Sequence, residues 1–392
     1  MEYTIKSQVS KEIDKLADRI IEISDSIHDE PELGYQEFKA SALLTSELLK
    51  FGFTVEKGLA DLPTSFRASL KGKIGGPTVA FLAEYDALPE LGHACGHNII
   101  AAAAVGAAIG VSRVMNDIAG TLIVFGTPAE EGYTQNAGGK IIMLEEIKAA
   151  DVVLMIHPGP RYQVDSPSLA REAFEVSFEG RAAHAGVSPE EGINALEGVL
   201  LTFQGINALR QHVTGDIRIH GIITEGGVSP NIIPEHASAH LYVRAPTIQI
   251  LEETVEKVKN CARGASLATG AEVKFRKTAN TYANIKPNKT LSNIFRENLV
   301  DLGVEFPEDQ GKKLGGSTDF GNVSQIVPAV SAWISLGEDL VLHSPEATKV
   351  TASGRAHEAV IIASKALAHT AVDLYTVKSL MDEVKSEFQG SI

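Results

Sequence analysis

A cysteine and a histidine separated by one glycine, Cys95-Gly-His97, place a thiolate sulfur and an imidazole nitrogen where both can reach one metal ion. Glu131, His157 and His343 could complete such a site, with Glu130 beside Glu131. Two zinc ions sharing a ligand need about this inventory of sulfur, imidazole and carboxylate donors. Two metals would polarise a scissile carbonyl and yield hydroxide near neutral pH. A carboxylate that does not bind metal must then take the proton and pass it to the leaving nitrogen. In the adjacent pair, one glutamate can coordinate while its neighbour faces the substrate. Two other readings stay open on the same residues: a thiol hydrolase with Cys95 as nucleophile and His97 as base, and a non-catalytic peptide-binding protein. Singly, each feature is commonplace, since Cys-X-His is often structural and a Glu pair is usually solvated. Their weight lies in occurring together at strand ends of one domain.

The elements that must position them follow from periodicity. Val9, Ile13, Leu16, Ile20, Ile23 and Ile27 predict one long amphipathic helix ended by Pro31. A second helix from about Glu37 turns Leu44, Leu48 and Leu49 inward and stops at Gly52. Apolar strands near 65–70, 77–82, 121–125 and 151–156 alternate with helices, notably a helix of small residues after Asn98. This predicts an α/β fold with a mostly parallel sheet flanked by helices, whose ligands gather beyond strand carboxyl ends. From about Arg171 the texture changes to alternating strands in the order β-α-β-β-α-β, a ferredoxin-like module. The expected domains are therefore 1–170 with 285–392, and an inserted 171–284. The returning part carries a helix near 291–302, the loop Gly315-Gly-Ser-Thr-Asp-Phe-Gly321, a strand near 329–334 and a final long helix from about Gly354.

Composition narrows the function. With 392 residues the chain exceeds one core's comfortable size. Its 50 acidic and 35 basic residues give a net charge of −15 with no basic stripe, which argues against a nucleic-acid partner. No apolar run reaches the roughly 20 residues of a membrane span, and the N-terminus does not read as a secretory signal, so a cytoplasmic location is expected. Two cysteines, Cys95 and Cys261, make no disulfide framework. Cys261 reads as a small buried apolar residue. His212, His220, His236 and His240 read as solvated or structural, and His93 as a neighbour of the metals.

The motifs His28-Asp-Glu-Pro-Glu-Leu-Gly34, Tyr85-Asp-Ala-Leu-Pro89, His93-Ala-Cys-Gly-His97, Pro128-Ala-Glu-Glu-Gly132, Ile156-His-Pro158, Gly180-Arg-Ala-Ala-His184-Ala and Gly315-Gly-Ser-Thr-Asp319 span nearly the whole chain. In this order they resemble peptidase family M20, in the subgroup of hippurate, indole-acetyl-amino-acid and aminobenzoyl-glutamate hydrolases. The resemblance implies that Cys95 bridges two divalent ions, zinc foremost with manganese, cobalt or nickel as alternatives. It gives His97 and His157 to one ion and Glu131 and His343 to the other, makes Glu130 the general base and acid, and sets Asp86 behind the ligands to orient them. The inserted module would be a lid through which a homodimer, or a tetramer, forms. His184 would reach across the dimer to the oxyanion. Arg244 would grip the substrate carboxylate, helped by Asn231, Gly316, Ser317 and Thr318. The implied substrates are small peptides or N-acyl amino acids with a free carboxylate. Two departures stand out: Glu84-Tyr85-Asp86 where many members have Asp-Met-Asp, and Asn98 where many have Asp. The first resembles a branch acting on dipeptides or short peptides rather than on indole or benzoyl conjugates.

Overall fold

The computed structural model describes residues 2–164, 166–306 and 316–390. Its N-terminal apolar stripe forms two helices rather than the expected one, α1 (Glu2–Lys15) and α2 (Ala17–Asp29). At Leu16 the backbone N–H bonds to Ile13, three residues back, at 3.0 Å, a tightened turn that breaks the ladder. The stripe continues across it, with Val9, Ile13, Ile20, Ile23 and Ile27 all buried. In α3 (Phe38–Lys50), Leu44 and Leu48 are inward as expected, but Leu49 is 56% exposed. One residue beyond Leu48, it is rotated by about 100° around the helix.

The chain then forms β1 (Thr54–Lys57), β2 (Phe66–Lys71), β3 (Lys73–Ala83) and α4 (His97–Ser112). Helix α4 is buried from His97 to Val111, because its alanines and glycines let neighbours approach on every side. Strand β4 (Ala119–Gly126), the single turns α5 (Gly139–Ile142) and α6 (Leu144–Ile147), and β5 (Val152–Gly159) follow.

The next stretch belongs to a second compact unit, made of residues 168–284 and 316–318. Its elements are β6 (Ala170–Glu179), α7 (Ala195–Leu209), β7 (Arg218–Glu225), β8 (His236–Ala245), α8 (Ile248–Thr269) and β9 (Glu272–Lys277). They make one antiparallel sheet in the order β7-β8-β6-β9, the ferredoxin-like arrangement. Phe174, Phe178, Leu241 and Val243 pack with Val199, Ile206, Leu251 and Val258 of the helices to form its core. Cys261 is half-buried on α8 rather than fully enclosed.

Back in the first unit come α9 (Lys289–Asp301), α10 (Phe320–Ile326), β10 (Ala329–Ser335), α11 (Pro345–Val350), α12 (Gly354–Thr376) and α13 (Lys378–Gly390). The single final helix expected from Gly354 is thus two, bent by 98° between α12 and α13. Among the described residues, no single helix is long and apolar enough to cross a membrane. The sheet runs β1-β2-β4-β3-β5-β10. Strands β4, β3, β5 and β10 are mutually parallel, while β2 and β1 extend it antiparallel. The parallel strands Val79–Leu82, Leu122–Phe125 and Val152–Ile156 are almost continuously apolar and buried, as a sheet covered on both faces requires.

Candidate metal centre

The loops leaving parallel strands build the site. Strand β3 ends at Ala83, and Glu84-Tyr85-Asp86 follows at once. The chain then turns through Gly96, at φ +83°, into His97, the first residue of α4. A Cβ at Gly96 would lie 2.7 Å from Pro158 Cγ. Glycine there lets Cys95 and His97 close against the strand that carries His157. After β4, Ala129 adopts φ +55°, and its N–H donates to buried Glu37 at 2.9 Å, fixing the turn that presents Glu130 and Glu131. His343, at φ +61°, is held by its own N–H bonding to Ala94 O at 3.1 Å.

These segments bring Cys95, His97, Glu131, His157 and His343 together. Cys95 Sγ lies 3.5 Å from His157 Nε2 and 3.4 Å from His343 Nε2. Glu131 Oε1 lies 3.4 Å from His343 Nε2 and 4.0 Å from His97 Nε2. The donor atoms fall into two groups that share the sulfur, Cys95 with His97 and His157, and Cys95 with Glu131 and His343. Each group lies within 4.8 Å of itself. Glu130 joins a third with His97 and Glu131.

The far side of each donor is tied down. Asp86 Oδ1 lies 3.0 Å from His97 Nδ1, and Asp86 Oδ2 accepts the Glu131 N–H at 2.9 Å. His157 Nδ1 donates to Pro158 O at 2.7 Å, leaving Nε2 with its lone pair toward the sulfur. Such outer bonds fix both tautomer and aim. His97 Nε2 and Glu131 Oε1, by contrast, are buried with no hydrogen-bond partner. Unsatisfied polar atoms converging with a thiol and two further imidazoles fit a pair of divalent cations.

Behind the donors lies an ionic layer that the sequence reading missed. Lys140, Glu84 and Asp319 are all fully buried. Lys140 Nζ donates to Asp319 at 2.5 Å and pairs with Glu84, while its backbone N–H bonds to the other Asp319 oxygen at 3.0 Å. Glu84 Oε2 in turn lies 3.5 Å from His97 Nε2. Burial opposes the charge on Lys140, but Asp319, Glu84 and Glu130 outweigh it and hold the ammonium above its ordinary range. Burial, reinforced by Glu84, Glu131 and Asp319, pushes the Glu130 carboxyl well above its ordinary value. Burial and Glu131 push the Cys95 thiol up as well. The signal in the sequence was a lone lysine at the head of the apolar run Ile141-Ile142-Met143. Nothing comparable marked Glu37.

The two departures also find partners here. Tyr85 is fully buried and donates to Thr64 O at 2.7 Å. Asn98 Nδ2 donates to Ser24 Oγ at 2.9 Å and Thr351 O at 3.0 Å, pinning α4 to α2 and to the turn after α11.

The remaining expected site residues belong to the second unit. His184 is exposed, and its Nδ1 accepts the Gly186 N–H at 3.2 Å, so Nε2 carries the proton and is a free donor. Asn231 is exposed. Arg244 Nη1 donates to Ser317 Oγ at 2.9 Å, and Gly316 O accepts the Leu169 N–H. Thr318 is half-buried, and Gly315 of the same motif lies outside the described residues.

Comparison with known proteins adds names to this geometry. Residues 172–269 match the family described as a peptidase dimerisation domain. The chain is 39% identical to a Mus musculus protein described as Xaa-Arg dipeptidase, over 98% of this chain and 92% of that protein. It is 29% identical to one of the subunits of Escherichia coli p-aminobenzoyl-glutamate hydrolase, over 95% and 92%. Among solved structures, a putative aminohydrolase from methicillin-resistant Staphylococcus aureus matches with a TM-score of 0.79 at 19% identity, covering 95% of this chain and 100% of that one. A dinuclear metal-binding peptidase of the M20 family from Bacillus subtilis matches at 0.71 and 21%, covering 92% and 99%. These two structures share the fold.

Proposed function

The chain belongs to the M20 family of metal-dependent peptidases and amidohydrolases, and we propose that it cleaves dipeptides or N-acyl amino acids bearing a free carboxylate. It is a hydrolase of peptide or amide bonds. The observation that carries the reading is the sulfur of Cys95 shared by two donor groups. Cys95, His97 and His157 would hold one divalent ion, and Cys95, Glu131 and His343 the other, with zinc foremost and manganese, cobalt or nickel as alternatives. Bound there, the ions would supply a polarised carbonyl and an acidified water.

This chain's own residues do the rest. Glu130, with its affinity for protons raised by burial and by neighbouring carboxylates, takes a proton and returns it to the leaving nitrogen. Asp86 fixes His97 and Glu131 from behind. Arg244, with Ser317, Gly316, Thr318 and Asn231, binds the carboxylate end of the substrate. The exposed His184 Nε2–H would reach across the proposed homodimer and donate to the developing oxyanion. The buried, acid-flanked Cys95 argues against a thiol hydrolase, since a nucleophilic cysteine needs a lowered pKa and this one is raised. A metal ion is what would ionise such a thiol.

A homodimer through residues 171–284 is part of the proposal, with 1–170 and 285–392 as its catalytic domain. Its support is the match of 172–269 to a dimerisation domain and the apolar surface on that unit. Edge strand β7 exposes Ile222 at 65% and Ile223 at 44%, and α7 exposes Leu200 and Leu201. A cytoplasmic location would keep the thiols of Cys95 and Cys261 reduced.

The test is a hydrolysis screen on metal-reconstituted protein, with products identified by mass spectrometry. Dipeptides ending in arginine and in neutral residues would be set beside acyl-amino acids. Turnover of peptides or acyl-amino acids with a free carboxylate, lost when the carboxylate is amidated, is the expected result. Equal turnover of the amidated substrates would reject the carboxylate requirement, and no turnover of any would reject the reading.

A further inference from the structure

One register row of the inserted sheet holds three arginines. Arg171 of β6 is the direct partner of Arg244 on β8, and Arg244 is the partner of Arg218 on β7. Directly opposed side chains share a face of the sheet, where like charges destabilise. The row lies on the face away from the core made by Phe174 and Phe178 with the helices.

Among the described residues, no carboxylate offsets this charge. Arg218 turns to the carbonyls of Gly215 and Ile217, and Arg244 donates to the Ser317 hydroxyl. Nearby acids are committed elsewhere. Glu172 pairs with Lys277 and Lys259, and Glu175 with Arg276 at 3.0 Å. Arg171 is the extreme case. It is 5% exposed, and its Nε and Nη2 are buried with no hydrogen-bond partner.

Arg171 is also held still. Its guanidinium carbon lies 4.2 Å from the centre of the Tyr282 ring and 5.3 Å from that of Tyr242. Its backbone exchanges two hydrogen bonds with Tyr282, at 2.8 and 3.0 Å. Aromatic faces soften the burial of a cation but satisfy none of its N–H donors. A buried, unpaired guanidinium beside another arginine is costly for folding alone. It is the arrangement expected where an anion supplies the missing acceptors, since the planar fork matches a carboxylate.

We propose that Arg171 and Arg244 together form a two-guanidinium receptor for a carboxylate, with Arg171 a specificity-determining residue for the substrate's free carboxylate. This rests on the proposed function, in which Arg244 contacts that group, and extends it to a residue none of the quoted motifs contains.

The test separates binding from turnover. Alanyl-arginine and its C-terminal amide are titrated calorimetrically into the metal-loaded Glu130→Ala protein, so the carboxylate preference is read whether or not the chain hydrolyses either peptide. Arg171→Gln is expected to weaken the free-carboxylate peptide by about tenfold or more, as loss of a charge partner does, and to leave the amide nearly unchanged. Arg171→Lys, which keeps the charge and loses the fork, should fall between. In the Arg171→Gln, Arg244→Gln double variant the losses should be non-additive, because both residues grip one group. Should Arg171→Gln fail to fold, Arg171→Lys with Arg244→Gln gives the same cycle. The proposal is overturned if the Arg171 variants weaken both peptides equally or neither, or if the protein with both arginines intact binds the two peptides alike.

Discussion

The two units treat buried charge in opposite ways. In the first, the buried ammonium of Lys140 is set between Glu84 and Asp319, and Asp86 is braced against His97 and Glu131. In the second, Arg171 and Arg244 are partners in register, and among the described residues no carboxylate pairs with either. The difference suits the two jobs proposed for them. A centre that must hold ions at fixed distances needs a rigid, satisfied frame behind its donors. A surface that must recognise an anion leaves its own charge uncompensated until the anion arrives.

That contrast can be attacked on the side of the rigid frame. The largest effect is expected at the one carboxylate assigned to chemistry rather than to support. Glu130→Ala should lower kcat by roughly a hundred- to ten-thousand-fold, while metal content measured by mass spectrometry and thermal stability stay near their starting values. Unchanged turnover would remove Glu130 from its role. Next is the frame itself. Lys140→Met leaves two buried carboxylates without a cation and should cost about 3–5 kcal/mol in urea unfolding. Adding Glu84→Gln and Asp319→Asn should restore much of the loss, and failure to do so would mean that Lys140 acts through packing alone.

A titration away from the donors gives a third measure of how tightly the first unit controls charge. His369 is 6% exposed, with Nε2 at 2.8 Å from Ser10 Oγ. Burial, helped by Lys6 and Lys365, lowers its pKa from 6.5 to about 4. In the folded state it therefore stays neutral where the unfolded chain takes up a proton. Its contribution to stability is complete above the unfolded value near 6.5 and is lost as pH falls toward 4, by about 3 kcal/mol in all. Unfolding free energies measured across pH 7 to 4 should show this slope, and His369→Phe should flatten it. The smallest effect is expected at Asn98→Asp, which removes the donor to Ser24 and Thr351 and sets a carboxylate against a carbonyl. About 2 kcal/mol is expected, read as a lowered melting temperature. No change would mean that Ser24 and Thr351 accommodate either residue.

Much of this was legible from residues alone because the signals are local. Alternation in Glu172–Glu179 and in His236–Arg244 marks half-covered strands whatever surrounds them. The β-α-β-β-α-β order of the second unit then follows from chain order. Cys95 and His97, one glycine apart, and the adjacent Glu130 and Glu131 announced donors by type and spacing. Locality also explains the misses. The stripe through Leu16 looks the same whether its helix is continuous or broken, because the break lies in one backbone hydrogen bond. Leu49 reads as apolar whichever way it faces.

What the sequence determined by itself is the inventory: which residues can donate to a metal, which strands and helices carry them, and which family the chain resembles. Composition and periodicity suffice for that, since both are properties of short stretches. Tertiary structure alone decided the pairings across long separations. Lys140 meets Asp319 across 179 residues, Cys95 meets His343 across 248, and Arg171 faces Arg244 through the register of two strands. Those contacts depend on strand order and crossover geometry, and a one-residue slip in register would turn Arg171 to the other face of its sheet.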